Sequence, residues 1–104
     1  MIYEYLKRRG AYGKENAVKA AEIRESLHCN ARMIDFLVYS DRKDGRIIIS
    51  KTTDGGGYYL PATREEVLAF VRQQEGRIKK HASTLRAARA FLKNHAAAMK
   101  RGVD

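Results

Sequence analysis

Cysteine and proline are almost missing from this 104-residue chain, which has one of each. A lone Cys29 cannot close an internal disulfide and is too few for a cysteine-based structural zinc. An intracellular setting is therefore the expectation. His28 stands beside it, but no third ligand is near in sequence, and the pair reads as a helix connection rather than a metal or nucleophile site. Long hydrophobic runs are absent too. No stretch approaches the ~20 apolar residues that cross a bilayer, and residues 1–7 lack the apolar run of a signal peptide. No membrane partner and a cytoplasmic location are expected.

Catalytic patterns are equally scarce. The chain carries no paired-carboxylate, triad or cofactor motif, and Asp54-Gly55-Gly56-Gly57 lacks the Lys-Ser/Thr of a phosphate-binding loop. Neither an enzyme nor a cofactor is expected. What the chain lacks most tellingly is negative charge: 12 acidic side chains face 21 lysines and arginines, for a formal net charge of +9. Such an excess concentrates a protein near polyanions and binds nucleic acid by releasing counterions. At this length one core is expected, and 44% hydrophobic residues is too apolar for a disordered tail.

Along the chain, Ile2, Tyr5 and Leu6 have helical spacing up to Gly10, which predicts a first helix. A polar loop over 11–16 precedes an apolar stripe of Val18, Ala21, Ile23 and Leu27, which predicts a second helix over about 17–27. His28-Cys29-Asn30 is short enough for a tight turn, and Asn30 is a good N-cap. Ile34, Leu37 and Val38 then mark the inner face of a third helix ending near Gly45. Two short helices joined by such a turn are a helix-turn-helix candidate. Beyond it, Ile47-Ile48-Ile49 and Tyr58-Tyr59-Leu60 flank a glycine-rich turn and predict a β-hairpin that Pro61 ends.

Thr63-Arg64-Glu65-Glu66 is a capping box opening a long helix. From Val67 the spacing alternates four and three residues through Val71, Gln74, Ile78, His81, Leu85, Ala88, Leu92, His95 and Met99, the 3.5-residue period of a coiled coil. The apolar members Val67, Val71, Ile78, Leu85, Leu92 and Met99 form the expected dimer seam. Its polar members Gln74, His81 and His95 are tolerated seam positions, and Gly76 is a point where a break into a helical hairpin remains open. The expected organisation is residues 1–62, then a helix over 63–101 that pairs with a second copy, then a disordered tail at 102–104.

The order helix, loop, helix-turn-helix and glycine-tipped hairpin resembles the winged-helix family. The likeness is to small winged-helix proteins of bacteria and prophages, carried by Ser40-Asp41-Arg42-Lys43-Asp44-Gly45-Arg46-Ile47-Ile48-Ile49-Ser50 and by Gly57-Tyr58-Tyr59-Leu60. It implies an α+β, mostly α, fold and duplex-DNA binding in transcription or replication control. The third helix would enter the major groove, and the hairpin, as the wing, would lie against the backbone or the minor groove. Carried onto this chain, the DNA-contacting residues are Asn30, Arg32, Tyr39, Arg42 and Lys43 on the helix, Arg46 at the base of the wing, and Lys51, Thr52 and Thr53 on it. Arginine pairs with guanine edges, while lysine and tyrosine hold phosphate. Asp35 and Asp41 oppose this, because each carboxylate repels phosphate.

Charge divides unevenly. Residues 1–62 hold 11 basic and 8 acidic side chains, net +3, and residues 63–104 hold 10 and 4, net +6. The long helix, with Arg72, Arg77, Lys79, Lys80, Arg86, Arg89 and Lys93 among its cations, either flanks DNA or solubilises a coiled coil. Two other functions stay open. In one, the chain is a protein–protein adaptor with Phe36 and Tyr39 as contact residues. In the other, Tyr12, Phe36 and Tyr39 stack on single-stranded nucleic acid.

Overall fold

The computed structural model describes residues 1–95. Among the described residues, four helices and one two-stranded antiparallel hairpin make an α+β, mostly helical fold. The elements are α1 (Ile2–Arg8), α2 (Ala20–Leu27), α3 (Ala31–Lys43), β1 (Ile49–Lys51), β2 (Gly57–Tyr59) and α4 (Arg64–Asn94), with a single 3-10 turn at Lys14–Asn16. Two compact units are present, Met1–Phe70 and Val71–Asp104, so the opening of α4 belongs to the first. The expected tail at 102–104 and the seam residue Met99 lie outside the described residues. Among the described residues no helix is long and apolar enough to cross a membrane.

In the first unit α1, α2, α3 and the residues flanking the hairpin give their apolar faces to one core. Ile2 and Leu6 of α1, Ile23 of α2, Ile34 of α3, and Ile48 and Leu60 flanking the hairpin are its fully buried large side chains. Burying side chains of this size contributes roughly 1.5–3 kcal/mol each. At the α1–α2 junction the Tyr5 hydroxyl donates to Ser26 Oγ at 3.0 Å, and Arg9 reaches both the Tyr5 hydroxyl and Glu22.

The second helix starts later than its apolar stripe predicts, at Ala20 instead of about residue 17. The cause is tertiary. Val18 N–H donates to Tyr58 O at 2.9 Å and Val18 O accepts from Tyr58 N–H at 3.0 Å, so its backbone is committed to the free edge of β2. Ala11, Gly13 and Leu60 extend the pairing, with Leu60 N–H on Ala11 O at 2.7 Å and Gly13 N–H on Leu60 O at 2.8 Å. The loop over 11–18 thus covers an edge that would otherwise expose unpaired backbone groups. Val18 remains a core residue, as an extended rather than a helical one.

The connection between α2 and α3 follows from local chemistry. His28 adopts the left-handed conformation that ends a helix (φ 51°), and the Asn30 side chain accepts Met33 N–H at 2.8 Å. The hairpin register pairs Ile49 with Tyr59, Ser50 with Tyr58 and Lys51 with Gly57. The capping box forms as the sequence predicts: Glu66 N–H donates to Thr63 Oγ1 at 3.2 Å and Thr63 N–H to Glu66 Oε1 at 3.3 Å. The same carboxylate accepts Ala62 N–H at 2.8 Å and Lys14 N–H at 3.1 Å, tying the 3-10 turn to the helix start. α4 continues through Gly76 without the break left open above.

Candidate nucleic-acid interface

α3 packs on α1 and α2 through Ile34 and Val38, with Leu37 partly buried beside them. Residues on the opposite face are Arg32, Phe36, Tyr39 and Lys43, whose steps of four, three and four residues put them in one line along the helix. All four are exposed, Phe36 and Tyr39 at 63% each. A cation, two aromatics and a cation therefore form the solvent face of the helix that follows the tight turn. Met33, also exposed, widens its apolar middle. Met33 escaped the sequence reading, and Phe36 entered it only as a protein-contact or stacking residue. Placing Ile34, Val38 and Asp41 inside leaves 32, 36, 39 and 43 on the far side, which is the signal that finds them.

Asp41 is not on the outer face, contrary to the expectation that it repels phosphate there. It is 5% exposed. One carboxylate oxygen accepts Tyr3 N–H at 3.0 Å, and the Met1 amino group donates to both oxygens at 3.2 and 3.3 Å. Asp41 therefore caps α1 from α3, and a negative charge at a helix N-terminus is stabilising. Asp35 is exposed, and its Oδ1 accepts the Tyr58 hydroxyl at 3.3 Å, which joins β2 to α3.

The remaining candidates separate by what they touch. Arg42 does not point outward as expected. Its Nε donates to Ile48 O at 2.8 Å, its Nη2 to Ser50 Oγ at 3.3 Å, and its guanidinium lies 5.1 Å from the Phe70 ring centroid. It fastens the hairpin to α3, because Asp41 and Val38 turn that side of the helix inward. Arg46 sits 3.6 Å from Glu4, 4.0 Å from Asp41 and over the Tyr3 ring. Lys51 Nζ is 3.6 Å from Asp54. Asn30 spends its side-chain oxygen on the helix cap. Arg32, Tyr39 and Lys43 stand on the outer line of α3, and Thr52 and Thr53 are exposed at the hairpin tip.

Burial pushes the Tyr58 phenol above the ordinary tyrosine range, and the Asp35 carboxylate acts in the same direction. Tyr59 is raised as well, by burial and then by Glu66. The fold thus prefers the neutral phenols. That contribution is fully present below the ordinary tyrosine pKa of about 10 and is lost as pH rises through the raised values. The urea midpoint is expected to fall above this pH, and less steeply in Tyr58→Phe, as followed by circular dichroism. An equally steep fall in the variant would remove Tyr58 from the account.

In α4, Val67 is half-buried within the first unit, and Val71, Ile78, Leu85 and Leu92 of the expected seam are exposed. His95 stacks on Phe91 with ring centroids 4.5 Å apart. Compared with protein-family models, curated proteins and solved structures, the chain matches none of them.

Proposed function

We propose that this chain binds duplex DNA through a winged-helix arrangement of its first unit, as a cytoplasmic regulator of transcription or replication of the bacterial or prophage type. The outer line of α3 enters the major groove, with Arg32 at a base edge or phosphate, Lys43 and Tyr39 on phosphate, and Phe36 against a thymine methyl group. Thr52 and Thr53 at the wing tip meet the backbone. The observation that carries this reading is the cation–aromatic–aromatic–cation line on the exposed face of the helix after the tight turn. The internal neutralisation of Asp41 supports it, since that carboxylate is no longer presented to phosphate.

Fluorescence anisotropy of a labelled random duplex, titrated with salt, tests the proposal. Affinity is expected to fall linearly on a log–log scale, because each neutralised phosphate releases counterions. Lys43→Ala is expected to reduce that slope by about 1, and Arg32→Ala to weaken binding by about 1–3 kcal/mol on a selected site. Absence of binding at low salt, or indifference to both substitutions, would overturn it. For α4 two roles are compatible with DNA binding. It pairs with a second copy, which would set two α3 helices on two half-sites, or it holds a different protein at the DNA.

A further inference from the structure

The part of α4 in the second unit has an apolar side chain at every seventh residue, and no residue of the helix is buried. Val71, Ile78, Leu85 and Leu92 are exposed by 44, 67, 49 and 56%. Most helical stability in proteins comes from packing an apolar face. An apolar column with a seven-residue repeat is the surface a second helix covers.

What covers it follows from the residues beside the column. Three positions after each apolar residue come Gln74, His81, Ala88 and His95. In a symmetric parallel pair each of these layers would meet its own copy, putting imidazole against imidazole twice and leaving one layer filled only by two methyl groups. The positions flanking the seam are Arg77, Thr84 and Phe91 on one side and Glu75, Ala82 and Arg89 on the other. No Arg or Lys among them meets a carboxylate across a parallel self-pair, so the flanks that normally select a partner select nothing here. From residue 76 to 95 the cations are Arg77, Lys79, Lys80, Arg86, Arg89 and Lys93, with no carboxylate between them. A second copy would bring an equal positive charge alongside the first.

A membrane surface fits poorly for a different reason. Interfacial helices bury a broad apolar face, whereas Gln74, His81 and His95 fill three of the four layers that alternate with this column. A partner helix with an apolar stripe bordered by carboxylates satisfies the column, the flanks and the imidazoles together. Arg72, Lys79, Arg86 and Lys93 form a further seven-residue repeat next to the apolar one, which adds attraction at longer range.

We propose that the Val71–Ile78–Leu85–Leu92 column of α4 docks an acidic amphipathic helix of another protein, whose carboxylates face Arg77, Arg89, His81 and His95. This inference does not depend on DNA binding. It opposes the self-paired seam expected from the periodicity alone, since like charge disfavours a second copy in either orientation and the polar layers disfavour the parallel one.

The test uses the full chain and a synthetic amphipathic peptide of about four heptads, with leucine at the seam positions that meet Val71, Ile78, Leu85 and Leu92, and glutamate at its flanks and at the seam positions that meet His81 and His95. A scrambled peptide of identical composition is the control. Sedimentation equilibrium is expected to show the chain monomeric at tens of micromolar. Anisotropy is expected to show salt-sensitive binding of the patterned peptide at least tenfold tighter than of the scrambled one. Ile78→Asp with Leu85→Asp is expected to abolish that preference while the circular dichroism melt of the first unit stays in place. Arg77→Glu with Arg89→Glu is expected to shift binding toward a lysine-flanked peptide. A stable dimer of the chain alone, equal binding of the two peptides, or a preference that survives either double substitution would overturn the proposal.

Discussion

Gly57→Ala is expected to destabilise the first unit by about 3 kcal/mol, combining an unfavourable backbone conformation with a steric conflict. Gly57 has φ 149°, and a Cβ there would lie 2.6 Å from Val18 O and 3.1 Å from Val18 C. Those atoms are backbone and are held by the hydrogen bond from Tyr58 N–H at 3.0 Å. Relief therefore requires β2 to part from the segment around Val18. In a domain of this size such a loss lowers the melting temperature by roughly 10–20 °C. Gly55→Ala is the control: its φ is 86°, but no atom lies within 4 Å of the added carbon. Thermal melts by circular dichroism compare the two. Equal melting temperatures would show that backbone conformation, and not the approach to Val18, sets the cost.

Arg42→Ala is expected to cost about 1.5–3 kcal/mol, the usual range for hydrogen bonds made by a charged group. It removes the donors to Ile48 O and Ser50 Oγ and the cation over Phe70. Arg42→Lys is expected to recover little, because an ammonium cannot reproduce the guanidinium fork or its stacking. The consequence for the proposed DNA interface separates Arg42 from Lys43, its neighbour in sequence. Loss of Arg42 loosens the hairpin and weakens binding with little change in salt slope, whereas loss of Lys43 lowers the slope with little change in melting temperature. A reduced slope in Arg42→Ala with an unchanged melt would place Arg42 on phosphate.

The two residues show where sequence reasoning stops. Both are long cations at the end of α3, and no local rule distinguishes them. The distinction arises from Val38 and Asp41, which orient that end of the helix and bring Ile48 O within reach of one side chain only. Asp41 makes the same point with opposite sign. In sequence it is a carboxylate on a helix expected to meet phosphate; in the fold it is a cap for α1, because α1 begins beside α3. Val18 carries an apolar side chain at a helix-compatible position, and only the unpaired edge of β2 makes it extended.

Other features were legible from the start because they depend on near neighbours. The Asn30 cap, the Thr63–Glu66 capping box, the helical spacing of Ile34 and Val38, the glycine-rich hairpin turn and the seven-residue repeat of α4 are all relations within a few turns of chain. Hydrogen bonds and periodicity of that range do not require the rest of the molecule. Composition also determined the excess of positive charge, and the order of residues its concentration in 63–104. Tertiary structure alone decided which cations face solvent, which carboxylate is neutralised and which loop covers β2. Those outcomes depend on residues 40 positions apart in the case of Met1 and Asp41, and distance of that kind along the chain leaves no local pattern to read.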